Sequence, residues 1–188
     1  MEFETQTLVN IAAYVGGGIC MGIGAIGAAI GEGYTAALAN EAVSRDPELS
    51  GDIFKSMLVG QAIAESASIF ALVIAILLLF LDIPITGLLK AAALLGAGIS
   101  MGFGAMGSGV GSGFPGGQAC RGISRQPAMT GRLTTNMLIG SAVCQTPAIF
   151  AMVVALILMF IDFGNVPLNP TWAALLGAGI SMGLSAIG

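Results

Sequence analysis

The sequence contains no histidine and very little charge. Asp, Glu, Lys and Arg make up only 9% of its 188 residues, whereas soluble domains carry about 25%. Without histidine the chain lacks the most common metal ligand and the most common general base. Six basic residues and a net charge of -4 argue against nucleic-acid binding. We therefore expect no cofactor, no nucleic acid and no enzyme active site within this chain.

Cysteine is also scarce. Cys20, Cys120 and Cys144 are widely spaced and indicate neither a zinc site nor a disulfide framework. We interpret them as small buried side chains.

Apolar residues dominate what is present. They make up 56% of the chain, and the mean hydropathy is +0.95. The stretch 56–81 is long enough to cross a bilayer, which takes about 20 apolar residues. The first residues, "MEFETQ", are acidic and lack the basic region of a secretory signal, so we expect the first apolar segment to remain as a membrane helix. The sequence predicts a multi-pass integral membrane protein.

The chain is an internal repeat with an offset of 80 residues. The segment "YVGGGICMGIGAIGAAIGEG" from Tyr14 matches "LLGAGISMGFGAMGSGVGSG" from Leu94 at ten of twenty positions. Each unit reads as a glycine-rich helix, a polar loop with Arg-x-Pro, and a second helix rich in Leu, Ile and Val. A third copy begins with "TWAALLGAGISMG" at Thr171. The repeat indicates consecutive helical hairpins.

The predicted fold is an all-α membrane protein of tandem transmembrane helical hairpins, with four helices plus a partial fifth, packed into a ring. We divide the chain into a first hairpin at 1–83, a second at 84–164 and a partial third repeat at 165–188.

Charge predicts the orientation of the hairpins. Lys90 stands apart from the other basic residues, and basic loops prefer the cytoplasm. We therefore expect the hairpin loops to be cytoplasmic and the turns at 82–84 and 162–167 to face outward. The basic residues in or beside the loops are Arg45, Lys55, Arg121, Arg125 and Arg132.

The glycines of the first helix in each unit are unusually dense. Small residues let membrane helices approach closely, and a helix with glycine at nearly every second position favours neighbours on more than one face. This pattern predicts an inner layer of closely packed glycine helices, with the bulky helices outside facing lipid. Tight dimerisation of hairpins is the alternative. The glycines that recur at matching positions in both repeats lie at 16, 18, 22, 24, 27, 31 and 33, and again at 96, 98, 102, 104, 107, 111 and 113.

Two carboxylates fall within the first hairpin at a similar distance from its loop. They are Glu32 on the first helix and Glu65 on the second. A charged side chain within the membrane is expensive and usually functional, and two close carboxylates do not both ionise readily. The hydroxyl of Ser66 and the carbonyl of Ile63 add further oxygens of the kind that hard cations bind. We predict a cation or proton site here; the alternative is a hydrogen-bonded pair that only joins two helices.

The second hairpin differs at these positions. Glu32 becomes Ser112, Glu65 becomes Gln145, and Pro147 follows. A glutamine has no proton to lose and no charge to neutralise a cation, so we expect no ion exchange there. The sequence also predicts that Gln145→Glu alone does not restore a full site.

These motifs together resemble the proteolipid, or c, subunit of rotary F-type and V-type ATP synthases. The matching segments are "GIGAIGAAIGEG", "SRDPE" and "AESASIF", with "SRQPA" in the second unit. Duplication with one surviving carboxylate is similar to the V-type form. In sodium-dependent members the ligands fall at positions that correspond here to Glu65, Glu32, Ser66 and Ile63.

The resemblance implies an ion-carrying rotor subunit that couples transport of Na+ or H+ through Glu65 to ATP synthesis or hydrolysis. Ser66 favours Na+, whereas Phe70 and Ala67 depart from the sodium-type pattern. A non-rotary pore and a structural proteolipid are the alternatives.

The implied partners are other c subunits in a ring, either homo-oligomeric or mixed with single-hairpin c subunits, together with a stator a subunit, the central stalk and membrane lipid. The implied location is the cytoplasmic membrane of a prokaryote. The residues that would contact the stalk are Arg45, Asp46, Pro47, Arg125, Gln126 and Pro127.

Overall fold

The computed structural model describes residues 2–81, 87–164 and 169–187, and within these it contains helices and no strand. The predicted all-α fold of tandem hairpins is confirmed. The turns predicted to face outward at 82–84 and within 162–167 fall largely on 82–86 and 165–168, which lie outside the described residues. The helices are α1 (Glu2–Arg45), α2 (Ser50–Phe80), α3 (Leu88–Arg125), α4 (Thr130–Phe160) and α5 (Thr171–Ser185).

Both Arg-x-Pro segments end a helix in the same way. Asp46 has φ -141° and ψ 83°, and Gln126 has φ -141° and ψ 75°. Each precedes a proline, whose ring disfavours the α conformation in the residue before it. A single 3-10 turn then leads into the next helix, at Pro47–Leu49 and at Pro127–Met129. The same local chemistry therefore makes the same tight hairpin twice.

Four of the helices are long and apolar enough to cross a membrane, namely α1, α2, α3 and α4. Their outward faces carry large exposed side chains such as Phe80, Phe150 and Phe160, which suit lipid rather than water. The protein is therefore an integral membrane protein.

The glycines bring α1 and α3 into backbone contact. A Cβ built on Gly98 would collide with the backbone of Gly16, and one on Gly16 would lie 2.8 Å from the carbonyl oxygen of Leu94. Gly113 meets the backbone of Gly31 in the same manner. Such contact is open only to residues without a side chain, because real Cβ atoms do not approach backbone this closely. Glycine thus forms the inner layer of the two hairpins.

The fifth helix repeats this arrangement. A Cβ on Gly96 would lie 2.7 Å from the carbonyl oxygen of Leu175, just as Gly16 meets Leu94. Gly179 in turn packs on the backbone of Gly96. Helix α5 therefore packs on α3 as α3 packs on α1, so α3 has a glycine helix on each side.

The chain carries one buried lysine among its described residues. Lys90 is 3% exposed, and its Nζ donates hydrogen bonds to the carbonyl oxygens of Met159 at 2.6 Å and Ile161 at 2.8 Å. These carbonyls belong to the C-terminal end of α4, where backbone acceptors lack intrahelical donors. Lys90 thereby ties the beginning of α3 to the end of α4.

Candidate functional site

The two predicted carboxylates lie on neighbouring helices. Glu65 is exposed on α2 and Glu32 is half-buried on α1, and the residues just before them pack together, since a Cβ on Gly31 would lie 3.3 Å from the Cβ of Ala64. In the part of the chain that the structure describes, neither carboxylate accepts a hydrogen bond, and no group of three or more His, Cys, Asp or Glu could hold a metal. A cation bound here would therefore need carbonyl and hydroxyl oxygens in addition to the carboxylates.

The other two predicted ligands also lie together, but in contact with the second hairpin. The hydroxyl of Ser66 donates a hydrogen bond to the carbonyl oxygen of Ile63 at 2.6 Å. The Nε2 of Gln145 donates to the same oxygen at 2.8 Å. The structure thus brings Glu32 near Glu65, while Ile63 and Ser66 lie at the seam between α2 and α4.

The side chains of Gln145 and Ser112 are hydrogen-bonded to each other. The Nε2 of Gln145 donates to the Oγ of Ser112 at 2.8 Å, and that hydroxyl donates to the carbonyl oxygen of Ser108 at 2.6 Å. These two residues replace Glu65 and Glu32 in the repeat. The proximity of Glu32 to Glu65 therefore has a counterpart in the second hairpin, where an amide and a hydroxyl take the places of the acids.

The sequence reasoning missed Ser108. Its Oγ accepts a hydrogen bond from the backbone amide of Ala148 at 3.0 Å, one residue after Pro147. A signal was present, because Ser108 stands where the first repeat has Ala28. A polar residue that appears together with an intrahelical proline indicates a site where the helix needs an outside partner.

Gln61 was also missed. Its Nε2 donates to the backbone carbonyl oxygen of Glu32 at 3.3 Å and so joins α2 to α1 beside the carboxylates. Its signal was an amide within the apolar run, about one turn before Glu65.

The predicted stalk-contact loops are accessible. Asp46 is half-buried and the other five residues are exposed. Arg45 forms an ion pair with Glu41 on its own helix, and Arg121 of α3 reaches the same carboxylate at 3.4 Å. The two loops thus project from the same end of the hairpins, with Glu41 linking α1 to α3 just above them.

Known proteins resemble a stretch that covers a little under half of the chain. The ATP synthase c subunit of Natranaerobius thermophilus is 49% identical over 86 residues, which cover 46% of this chain and 98% of that protein. The ATP synthase c subunit of Thermotoga maritima is 47% identical over 74 residues, covering 39% of this chain and 87% of that protein. The second ATP synthase c subunit of Cereibacter sphaeroides is 45% identical over 83 residues, covering 44% of this chain and 99% of that protein.

The family of ATP synthase C subunits matches twice, at residues 15–78 and 95–158. The two matches together span more than half of the chain, and each falls on one helical hairpin. The chain belongs to the ATP synthase C-subunit family, in a tandemly duplicated form.

Proposed function

We propose that this chain is an ion-carrying rotor-ring subunit of a membrane ATP synthase or ATPase. It couples the movement of Na+ or H+ through Glu65 to rotation and is not an enzyme by itself. The observation that carries this proposal is the position of Glu65, an exposed carboxylate in the middle of an apolar helix, with Glu32 on the neighbouring helix. A charged group there is costly unless it binds an ion or a proton.

The mechanism follows from that energetic constraint. Glu65 passes lipid only when a bound cation or a proton neutralises it, and it releases its cargo only where a polar surface faces it. A membrane potential supplies about 2.3 kcal/mol per charge per 100 mV, so several ions are needed for each ATP. With one carboxylate site for two hairpins, each turn of the ring carries fewer ions.

The ligands of the ion are proposed to come from two adjacent hairpins. Glu65 and Glu32 supply the acidic groups. The contact between Gln145 and the carbonyl of Ile63 at 2.8 Å supports the view that a side chain at the Glu65 position reaches the backbone of the preceding hairpin. In this arrangement the carbonyl of Ile63 and the hydroxyl of Ser66 face the side chain at position 145. The ion held by Glu65 is then bound by the equivalent carbonyl and hydroxyl of a neighbouring subunit in the ring.

The partners in this proposal are other c subunits, in a uniform ring or one mixed with single-hairpin c subunits, a stator a subunit, the central stalk and the surrounding lipid. The exposed Arg-x-Pro loops would face the cytoplasm of a prokaryote and contact the stalk. We further propose the division at 83/84 and 164/165, with α5 as the first helix of a third unit, because α5 packs on α3 in the register of α3 on α1.

Carbodiimide labelling tests the proposal. The purified ring is treated with the reagent across a pH series, with and without Na+, and Glu65 and Glu32 are located by mass mapping. Protection of Glu65 by Na+ supports a sodium rotor, and labelling that responds to pH alone supports a proton carrier. An unreactive Glu65 under all conditions would contradict ion carriage and favour a structural proteolipid.

A further inference from the structure

The seam between the first two hairpins contains a cluster of oxygen atoms at membrane depth. The carbonyl of Ile63 and the hydroxyl of Ser112 both lie 2.8 Å from the Nε2 of Gln145. The hydroxyl of Ser66 is 2.6 Å from the same Ile63 carbonyl. Carbonyl and hydroxyl oxygens gathered in this way are the ligands that a hard cation binds. In this chain the group at their centre is an amide nitrogen.

The hydrogen bonds fix the orientation of that amide. The proton of Ser112 is already donated to the carbonyl oxygen of Ser108 at 2.6 Å, so both Ser112 Oγ and Ile63 O act toward Gln145 as acceptors. Only the NH2 group of Gln145 can satisfy both, because a flipped amide would place its own oxygen against two other acceptors. The other end of the amide, Oε1, is buried and has no hydrogen-bond partner among the described residues. The two acceptors therefore determine the orientation of the amide even though its oxygen is left unpaired.

The surrounding residues hold this arrangement in place. Ser141 donates to the backbone carbonyl oxygen of Ser112 at 3.2 Å. The backbone amide of Ala148 donates to Ser108 at 3.0 Å, which joins α4 to α3 just after Pro147. The second hairpin has thus exchanged acids for a set of neutral hydrogen bonds, with the Oε1 of Gln145 left unpaired, rather than simply losing a carboxylate.

We propose that the NH2 group of Gln145 is a built-in substitute for the transported ion. It lies between Ile63 O and Ser112 Oγ, where a cation or a carboxyl proton would otherwise lie. The seam therefore stays uncharged, and the two hairpins stay hydrogen-bonded to each other, through every part of the rotation. This inference rests on the proposed function, because it assigns the seam the same oxygen arrangement as the ion site of Glu65. The sequence alone predicted that Gln145→Glu would not restore a full site. The inference predicts instead that the new carboxylate binds an ion or a proton, because the carbonyl and hydroxyl oxygens around position 145 are already in place.

The test introduces an acid at position 145 and uses Glu65 in the same sample as the internal reference. Assembled complex carrying Gln145→Glu is labelled with carbodiimide, with and without Na+ across a pH series, and both positions are mapped. We expect position 145 to become reactive and to respond to the same ion as Glu65: at least tenfold slower labelling in Na+ if Glu65 is protected by Na+, or the same pH dependence if Glu65 responds to pH alone.

Two results at position 145 would overturn the inference while leaving the proposed function intact. In the first, the introduced acid at position 145 is not labelled although Glu65 is. In the second, position 145 is labelled at a rate that does not change with the ion that protects Glu65. An unreactive Glu65 in the unmodified complex would instead contradict the proposed function.

A second variant keeps the inference falsifiable if the first does not assemble. Gln145→Leu removes the donor to Ser112 Oγ and one of the two side-chain donors to Ile63 O, and we expect the chain to unfold in detergent at a clearly lower temperature. Asn136→Leu is the matched control, because Asn136 is an exposed amide on the same helix and should leave that temperature nearly unchanged. Equal unfolding temperatures for the two variants would show that the amide does not hold the seam.

Discussion

Gly98 of α3 lies directly against the backbone of Gly16 of α1, so closely that a side chain at residue 98 would collide with it. Gly18, the residue that corresponds to Gly98 in the first repeat, has no atom from another part of the protein within 4 Å of where its Cβ would be. The glycine face of α3 is therefore covered by α1, whereas the equivalent glycine face of α1 has no helix packed against it at Gly18. The open surface is where a preceding hairpin would pack in a ring.

This difference predicts that equivalent substitutions at Gly98 and Gly18 impair different processes, folding of the chain in the first case and assembly of the ring in the second. Gly98→Leu should destabilise the chain itself, because overpacking commonly costs about 1–3 kcal/mol or more. Gly18→Leu should leave the fold of the single chain intact and block its assembly. Thermal unfolding in detergent would report the first effect, and native mass spectrometry of the ring would report the second. A Gly18→Leu chain that assembles normally would contradict a ring built on this surface.

Lys90 should be far more important for stability than its surface counterpart Lys55. Lys90→Met removes two charge-assisted hydrogen bonds to the end of α4, and bonds of this kind contribute about 1.5–3 kcal/mol. Lys55 is 79% exposed and lies 3.4 Å from Asp52, so Lys55→Met should change the free energy of unfolding by less than about 0.5 kcal/mol. Unfolding of both variants, measured side by side, checks this. Equal stability would mean that Lys90 does not clamp α4.

Thr35 should couple the two hairpins through its hydroxyl. This side chain is fully buried, and its Oγ1 lies 3.0 Å from the carbonyl oxygens of both Gly31 and Gly113. Thr35→Val keeps the shape and removes the hydrogen bond, so we expect a loss of about 0.5–1.5 kcal/mol in the free energy of unfolding. Thr35→Ser retains the hydroxyl and should recover most of the hydrogen-bond contribution. A valine variant more stable than the serine variant would refute a role for this hydroxyl.

The sequence predicted those features that depend on local chemistry and on the repeat. Proline after Asp46 and Gln126 ends the helices, and the glycine pattern marks the faces that pack. Two other features could not be predicted in this way. The clamp of Lys90 depends on which carbonyls of α4 end beside α3, and the bond from Gln145 to Ile63 depends on how one hairpin is rotated against the next. Both are properties of packing between segments about 70 to 80 residues apart, which a motif does not encode.

The account rests most directly on Glu65 as the group that carries the ion. The measurement is ATP-driven ion uptake into vesicles that contain the assembled complex with Glu65→Gln. Glu4→Gln serves as the control, because Glu4 is an exposed carboxylate near the start of α1. The account predicts that uptake falls to background in the Glu65 variant and is unchanged in the control. Uptake at the unmodified rate without the Glu65 carboxylate would contradict it.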